Sequence, residues 1–135
     1  MVLHCNEATK SVEQVLRVCE RARQVGLDRS GLLIGIGGGI CTDIVTVAAS
    51  WIRRSIRYIR VPTTLVGQAD AGIGIKGAVN FSQKKSYLGC FHPPRAVIIT
   101  PPFLKTLPHN NLREGFAEII KMAIIRDEPA RAFLP

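Results

Sequence analysis

Glycines crowd around a single acid in the stretch GIGGGICTD at residues 35–43, where four of nine residues are glycine and Asp43 carries the only charge. Each glycine costs backbone entropy on folding, so the cluster needs a local reason. Backbone N–H groups at such a turn, followed by the positive end of a helix, form a site for phosphate. The alternative is a tight turn in which Asp43 only complements the helix dipole. The glycines alone leave both interpretations open.

Two threonines and a long glycine-rich segment follow. Thr63 and Thr64 lie in VPTTL, directly after a predicted strand, so we expect their hydroxyls at the carboxyl edge of a sheet, where ligands bind in α/β folds. Residues 67–94 contain Asp70 and Lys76 and show no regular helix or strand periodicity. Because long segments of this kind are more often functional than structural, we expect an irregular functional loop here.

An acid and a base lie three residues apart in GFAEIIK at 115–121, so Glu118 and Lys121 are neighbours on one helix. A solvated ion pair would also explain them. The adjacent isoleucines favour a largely buried helix instead, with a functional carboxylate. The predicted apolar face of this helix consists of Leu112, Phe116, Ile119, Ile120, Ala123 and Ile124.

These residues must be positioned by strands and helices that alternate along the chain. Short apolar runs bounded by glycine or proline predict three strands, at 31–36, 57–61 and 96–100. Apolar residues at helical spacing predict three helices, from Ser11 to Gly26, over 44–52 and over 111–126. We expect residues 11–14 (SVEQ) to form a capping box at the first helix. This order predicts an α/β fold with a doubly wound parallel sheet.

The charge distribution points to an anionic partner. The chain has 135 residues, enough for one domain, and a net charge of +8. Between Arg29 and Arg113 there are eleven Lys or Arg residues and only two acids, Asp43 and Asp70. Aromatic residues make up only 6% of the chain, which disfavours nucleic acid as the partner. A phosphorylated or carboxylate small molecule fits the pattern better.

Cysteine usage and hydropathy predict the cellular setting. The four cysteines show no CxxC spacing, and no apolar signal sequence follows Met1. No apolar run approaches the roughly 20 residues needed to span a bilayer. We therefore expect a reduced, cytoplasmic protein with no membrane partner.

The glycine motif departs from the standard dinucleotide fingerprint, since its third glycine is replaced by Ile40 and no acid follows at the expected distance. The pattern is GGG-x-x-x-D instead. Together with RVPTTL, QADAGIGIK, KKSYLG, HPP and GFAEIIK, in this order over residues 31–127, it resembles the sugar phosphate cyclase superfamily, which includes 3-dehydroquinate synthase. GIKGAVNF and LGCFHPP are most similar to the 2-epi-5-epi-valiolone synthases, and Ser86 stands where dehydroquinate synthases usually have asparagine.

The resemblance implies an enzyme that uses NAD and a divalent metal, zinc or cobalt. Such an enzyme oxidises a sugar phosphate hydroxyl, eliminates phosphate, reduces the ketone and closes a ring by an aldol step. The metal would polarise the oxidised carbonyl. The implied NAD-binding residues are Gly38, Gly39, Ile40, Asp43, Thr63, Thr64, Lys85, Phe103, Leu104, Lys105 and Thr106.

The same resemblance assigns the substrate and metal residues. It implies that Asp70, Lys76 and Lys121 face the substrate, with Arg54 as a phosphate contact, and that Glu118 is a metal ligand. The family takes its two histidine ligands from a later helical domain, and His4, His92 and His109 do not occupy those places.

The chain is therefore interpreted as an internal piece of a longer enzyme. In this interpretation residues 1–108 are part of a Rossmann-like NAD-binding domain, and residues 109–135 begin a helical metal and substrate domain. A homodimer is expected for the complete protein. Three alternatives remain: a 3-dehydroquinate synthase, an inactive NAD-binding module, and a basic domain that binds phosphate or nucleic acid.

Overall fold

The computed structural model describes residues 1–126. Its helices are α1 (Val12–Gln24), α2 (Gly39–Trp51) and α3 (His109–Arg126). Its strands are β1 (Leu32–Gly37), β2 (Arg57–Pro62), β3 (Lys76–Phe81), β4 (Lys84–Phe91) and β5 (Ala96–Val97). Short 3₁₀ turns lie at Glu7–Thr9, Ile52–Arg54 and Pro101–Thr106, and a π-helical turn spans Gly67–Ala71. No helix within residues 1–126 is both long and apolar enough to cross a bilayer.

A parallel sheet with strand order β1-β2-β5 forms the centre of the fold, which confirms the predicted α/β architecture. β1 and β2 pair over their whole length, from Leu32 opposite Arg57 to Gly37 opposite Pro62. β5 is shorter than the predicted strand at 96–100, because only Ala96 and Val97 pair with β2. One further hydrogen bond, from the Ile98 N–H to the Arg60 carbonyl at 2.8 Å, extends the edge before the prolines end it.

Two helix starts differ from the sequence prediction. Ser11 is the N-cap of α1, but its side chain makes no capping hydrogen bond, so the predicted capping box is wrong. Ser11 instead bridges to Asn80 through the backbone, and a capping box forms earlier, between Asn6 and Thr9. α2 begins at Gly39 rather than at residue 44, so the first turn of this helix is the glycine motif itself.

The prediction that residues 67–94 form an irregular loop is wrong, because most of this segment is a hairpin. β3 and β4 form an antiparallel hairpin, in which Lys76 pairs with Phe91 and Phe81 with Lys84. The hairpin turn has positive φ at Ser82 and Gln83, at 46° and 63°. Such turns usually contain Asn-Gly or Asp-Gly, so this turn lacks the usual sequence signal. Glycines at 77 and 89 also interrupt the alternation that indicates a strand.

The core surrounds α2, whose residues from Ile44 to Ala49 are all buried. One side of α2 packs with Val15 and Val18 of α1 and Val79 of β3. The other side packs with Ile56 and Tyr58 against the sheet. Burying each large apolar side chain contributes roughly 1.5–3 kcal/mol. α2 therefore holds the sheet, α1 and the hairpin together, and its N-terminus is fixed at the end of β1.

The prediction that α3 is largely buried is wrong for the described chain. Phe116 and Ile124 of its predicted apolar face are 57% and 54% exposed. The helix contacts the segment after β2, where Gly115 packs so closely on Leu65 that a Cβ at position 115 would lie 2.5 Å from Leu65 Cβ. This contact fixes the position of α3 relative to the sheet edge.

Candidate functional site

The glycine turn and the two threonines meet at the carboxyl edge of the sheet, as the sequence predicts. The Thr63 N–H donates to the Gly37 carbonyl at 2.9 Å, which joins the ends of β1 and β2. A Cβ at Gly38 would lie 2.9 Å from Thr64 Cγ2, so this position has no room for a side chain. Gly38 is also the N-cap of α2. The positive helix end and its free backbone N–H groups therefore open beside the threonines, an arrangement suited to phosphate.

Cys41 lies directly under this turn, with its Sγ 2.8 Å from the place where a Gly37 Cβ would be. Burial and, to a smaller extent, the neighbouring Cys5 thiol raise the pKa of the Cys41 thiol to about 12. The thiol is therefore protonated at neutral pH and does not repel an anion bound at the turn.

The π-helical turn Gly67–Ala71 connects the glycine turn to the rest of the edge. A Cβ at Gly39 would lie 3.6 Å from Ala71 Cβ, an ordinary contact distance, so the two segments adjoin. The Gln68 side-chain amide donates to the Pro62 and Thr100 carbonyls, both at 3.1 Å. Thr100 directly precedes the 3₁₀ turn that contains the predicted NAD-binding residues Phe103, Leu104, Lys105 and Thr106.

Asp43 has a partner that the sequence did not indicate. Its Oδ2 lies 2.6 Å from Lys10 Nζ, and the two side chains are only 20% and 7% exposed. Lys10 Nζ also donates to Ser86 Oγ at 3.4 Å. A lysine just before a helix gives no sequence signal for such a contact, because its partners lie 33 and 76 residues away in the chain. Lys10, Asp43 and Ser86 therefore tie the N-terminal segment, α2 and the hairpin together.

Lys85, a predicted NAD-binding residue, lies on β4 with an exposed side chain. Its Nζ is 3.9 Å from Glu7 Oε1, at the long end of the range for an ion pair. Exposed pairs of this kind contribute about 0–1 kcal/mol, so Lys85 remains available to an anionic ligand.

Three predicted residues come together next to the π-helical turn. Glu118 and Lys121 form an ion pair one turn apart on α3, and Lys121 is half-exposed. The hydrogen bond that Lys121 donates to Glu118 raises the pKa of Lys121, and the charges of Glu118 and Asp70 raise it further, so Lys121 lies in the field of both carboxylates. Glu118 Oε2 is hidden from solvent and has Lys121 as its partner. An ammonium that is paired with one carboxylate and feels the charge of a second can bind an anionic or hydroxylated substrate or move a proton.

Lys76 and Arg54 have different placements. Lys76 opens β3 six residues after Asp70, and its side chain is exposed. Arg54 precedes β2 and therefore lies at the amino edge of the sheet, roughly 20 Å from the threonines, given about 3.3 Å per strand residue. Within residues 1–126 the structure does not bring Arg54 to the other predicted site residues.

The two cofactors fit the described residues to different extents. The turn at Gly37–Gly39, where a Cβ would clash at Gly37 and Gly38 but not at Gly39, is a cradle of the kind that dinucleotide phosphates occupy. For a metal, no group of three His, Cys, Asp or Glu residues within positions 1–126 is close enough to hold an ion. Glu118 offers one carboxylate, whereas a catalytic zinc usually has three protein ligands. These residues alone do not form a metal site.

Comparison with known proteins places the chain in a family. Residues 1–114 match the N-terminal domain of 3-dehydroquinate synthase. The chain is 50% identical to a 2-epi-5-epi-valiolone synthase from Streptomyces glaucescens over 90% of its own length and 31% of the relative's. It is 44% identical to a 3-dehydroquinate synthase from Geobacillus kaustophilus, covering 93% of the chain and 34% of the relative.

Solved structures agree with these relatives. The 2-epi-5-epi-valiolone synthase of Streptomyces hygroscopicus, with NAD+ and Zn2+ bound, superposes with a TM-score of 0.92 at 43% identity, covering 95% of the chain and 36% of that structure. A 2-deoxy-scyllo-inosose synthase complexed with carbaglucose-6-phosphate, NAD+ and Co2+ gives 0.85 at 31% identity, covering 90% and 33%. The chain thus spans about a third of the length of the relatives it matches.

Proposed function

The chain belongs to the family of the 3-dehydroquinate synthase N-terminal domain, and from this premise we propose that it forms the nucleotide-binding part of a sugar phosphate cyclase. One observation carries the proposal. The turn Gly67–Ala71 contacts the glycine cradle on one side and α3 on the other. A cofactor in the cradle and a substrate beside Asp70 and Lys121 would therefore be neighbours, as a hydride transfer between them requires.

The NAD site would use the cradle and the edges around it. Backbone N–H groups at Gly38, Gly39 and Ile40 would face the pyrophosphate, because no side chain blocks them. Thr63 and Thr64 offer hydroxyls next to the same turn, and Asp43 would accept hydrogen bonds from a ribose. Bound NAD would supply the reversible oxidation of a substrate hydroxyl.

The substrate would lie beside the Asp70, Lys76 and Lys121 side chains. Lys76 and Lys121 provide positive charge for a phosphorylated sugar, and the ion pair of Lys121 with Glu118 orients its ammonium. Asp70 can accept a hydrogen bond from a sugar hydroxyl or take up its proton. Glu118 would give one metal ligand, with the other ligands from outside residues 1–126. Arg54 as a phosphate contact remains a prediction.

We propose a heptulose phosphate, sedoheptulose 7-phosphate, as the substrate, with 2-epi-5-epi-valiolone as the product. The support is the 50% identity to a 2-epi-5-epi-valiolone synthase. Ser86 adds to it, since its hydroxyl accepts a hydrogen bond from Lys10 at the place where dehydroquinate synthases usually have asparagine. The second candidate is 3-dehydroquinate synthase activity, favoured by the 44% identity to the Geobacillus kaustophilus enzyme.

The test uses the complete gene product, with NAD binding measured by calorimetry and phosphate release measured with each candidate substrate. Asp43→Asn is expected to weaken NAD binding about tenfold to a hundredfold, because a charge-assisted hydrogen bond contributes roughly 1.5–3 kcal/mol. Asp28→Asn is the matched control, since Asp28 only caps the loop before β1 through Ser30 and Gly31.

The outcomes separate the candidates. Phosphate release with sedoheptulose 7-phosphate alone supports the proposal, and release with only the dehydroquinate synthase substrate supports the second candidate. NAD binding without turnover of either would identify an inactive NAD-binding module. An unchanged dissociation constant in Asp43→Asn would limit Asp43 to its contact with Lys10.

A further inference from the structure

Arg60 is a fully buried arginine in the middle of β2, with 0% of its surface exposed. No carboxylate within residues 1–126 forms an ion pair with it. Its guanidinium lies 5.6 Å from the centre of the Tyr58 ring, also buried. A buried charge without a counter-ion is unfavourable, and an apolar residue of similar size usually gives an equal or more stable fold. The presence of an arginine at this place therefore calls for another explanation.

All five N–H groups of this guanidinium have acceptors. Nε and Nη2 donate to Thr46 Oγ1 of α2, at 3.1 and 2.5 Å. Nη1 donates to the carbonyls of Gly74 and Gly72, at 2.5 and 3.3 Å. Nη2 also donates to the Lys76 carbonyl at 2.8 Å. Arg60 thus connects β2 and α2 to the backbone between the π-helical turn and β3.

The segment 72–75 has few other anchors. Two of its four residues are glycines, and the side chains of Ile73 and Ile75 are 47% and 48% exposed. Its backbone N–H groups bond only to the preceding turn, from Gly72 to Gly67 at 2.8 Å and from Ile73 to Asp70 at 3.0 Å. The Ile75 carbonyl accepts a hydrogen bond from the His92 N–H at 2.8 Å, just after β4. Between Gly72 and Gly74, the guanidinium is therefore the hydrogen-bonding contact that fixes the segment to the sheet.

We propose that Arg60 is a positioning residue that holds Asp70 and Lys76 in their relative places by binding the backbone that joins them. The inference rests on the proposed function, in which both side chains face the sugar phosphate. The planar fork of arginine is essential, because its donors reach the hydroxyl and the carbonyls at once, whereas a lysine ammonium is a single point with three donors. Arg60 itself does not touch cofactor or substrate in this assignment.

The test compares Arg60→Lys and Thr46→Val with Arg57→Lys in the complete gene product. Thr46→Val removes the hydroxyl that accepts from Arg60, with little change in volume. It therefore tests the same contact if Arg60→Lys fails to fold. Thr46→Ser keeps the hydroxyl and is its control. Arg57 is the matched control, since it lies on the same strand and donates to Ser30 at the opposite edge. The readouts are the NAD dissociation constant, kcat and KM for the sugar phosphate, and hydrogen exchange of the 72–76 amides.

Arg60→Lys and Thr46→Val are expected to lower kcat/KM at least tenfold and to speed exchange of the 72–76 amides at least tenfold. The NAD dissociation constant should change less than threefold, and Thr46→Ser and Arg57→Lys should behave as the wild type. If Arg60 only stabilised the fold, its replacement would weaken NAD binding and substrate binding together. Unchanged exchange of the 72–76 amides in Thr46→Val, or an unchanged kcat/KM in that variant, would also overturn the inference. A wild type with no turnover would overturn the proposed function instead, and amide exchange would still decide whether Arg60 holds the segment.

Discussion

At the scale of single residues, Asp43 shows how a site residue depends on a distant partner. The sequence predicted that a helix follows the glycines and Asp43, and in the structure the helix begins at Gly39, which places Asp43 one turn inside it. The structure adds Lys10, whose ammonium neutralises a mostly buried carboxylate. Asp43 is therefore oriented by Lys10, which would lower the entropy lost in binding a ribose hydroxyl as proposed.

Replacing Lys10 should leave Asp43 charged and nearly buried without its partner. We expect Lys10→Met, which keeps the length of the side chain, to lower the free energy of unfolding by about 1.5–3 kcal/mol, measured by urea denaturation. Lys85→Met is the control, because the Lys85–Glu7 pair is exposed, and it should change stability by less than about 1 kcal/mol. An equal loss in the free energy of unfolding in the two variants would mean that the Lys10–Asp43 pair stabilises the fold no more than an exposed ion pair does.

The sequence predicted residues that act through local spacing but not those that act through long-range contacts. Gly38, Thr63 and Thr64 were placed correctly because strand ends in a parallel sheet share one edge. Glu118 and Lys121 were placed on one helix by their spacing. Lys10 and Arg60 were missed, since their partners are defined by the packing of α2 against β2 and the hairpin, which no local pattern encodes. Sequence alone predicts neither contact.

At the scale of elements, the two glycines of the turn between β1 and α2 differ in whether the fold has room for a side chain there. Gly38 is required by the fold, because a Cβ would lie 2.9 Å from Thr64 Cγ2. Gly39 is not, since the nearest atom to its Cβ would be Ala71 Cβ at 3.6 Å. A glycine that the fold does not require, at the first position of a helix, is compatible with the proposed approach of a ligand to the backbone there.

The Gly38 and Gly39 variants test this distinction. Gly39→Ala is expected to leave the melting temperature within about 2 °C of the wild type but to weaken NAD binding at least tenfold, because the new methyl group would occupy the space of the pyrophosphate. Gly38→Ala should lower both stability and NAD affinity, and Thr64→Ser should partly restore its stability by removing the clashing methyl group. Calorimetry and thermal unfolding provide the measurements. Undiminished NAD affinity in Gly39→Ala would place the pyrophosphate away from this turn.

The elements themselves were predicted best where hydrophobic runs are uninterrupted. β1, β2 and their parallel pairing follow from short apolar runs, and α3 was predicted within two residues of its observed start. The β3–β4 hairpin was missed because glycines at positions 77 and 89 let the strands pack closely on α2 and on each other. A Cβ at Gly77 would lie 2.5 Å from Thr46 Cβ, so close packing required the residue that hides the strand pattern.

At the scale of the whole molecule, the described chain has one covered and one open sheet face. α2 covers the face that includes Gly35, whereas Leu32, Ile34 and Ile36 on the other face of β1 are 41%, 54% and 59% exposed. Parallel sheets are normally covered on both faces. The chain spans about a third of the length of its relatives. The glycine turn is formed within the described residues, whereas no group of three possible metal donors comes together there.

Zinc binding tests how complete the chain is as a metal site. The 135-residue chain is expected to show no stoichiometric zinc binding in a calorimetric titration, because no set of three donors comes together within residues 1–126 and one carboxylate cannot hold the ion. In the complete gene product, Glu118→Gln should abolish metal retention and cyclisation, since an amide is a neutral and weaker donor. Glu114→Gln, one turn earlier on α3, is the control and should retain both. Tight binding of one zinc per 135-residue chain, lost in Glu118→Gln and kept in Glu114→Gln, would show that the chain supplies the remaining ligands itself.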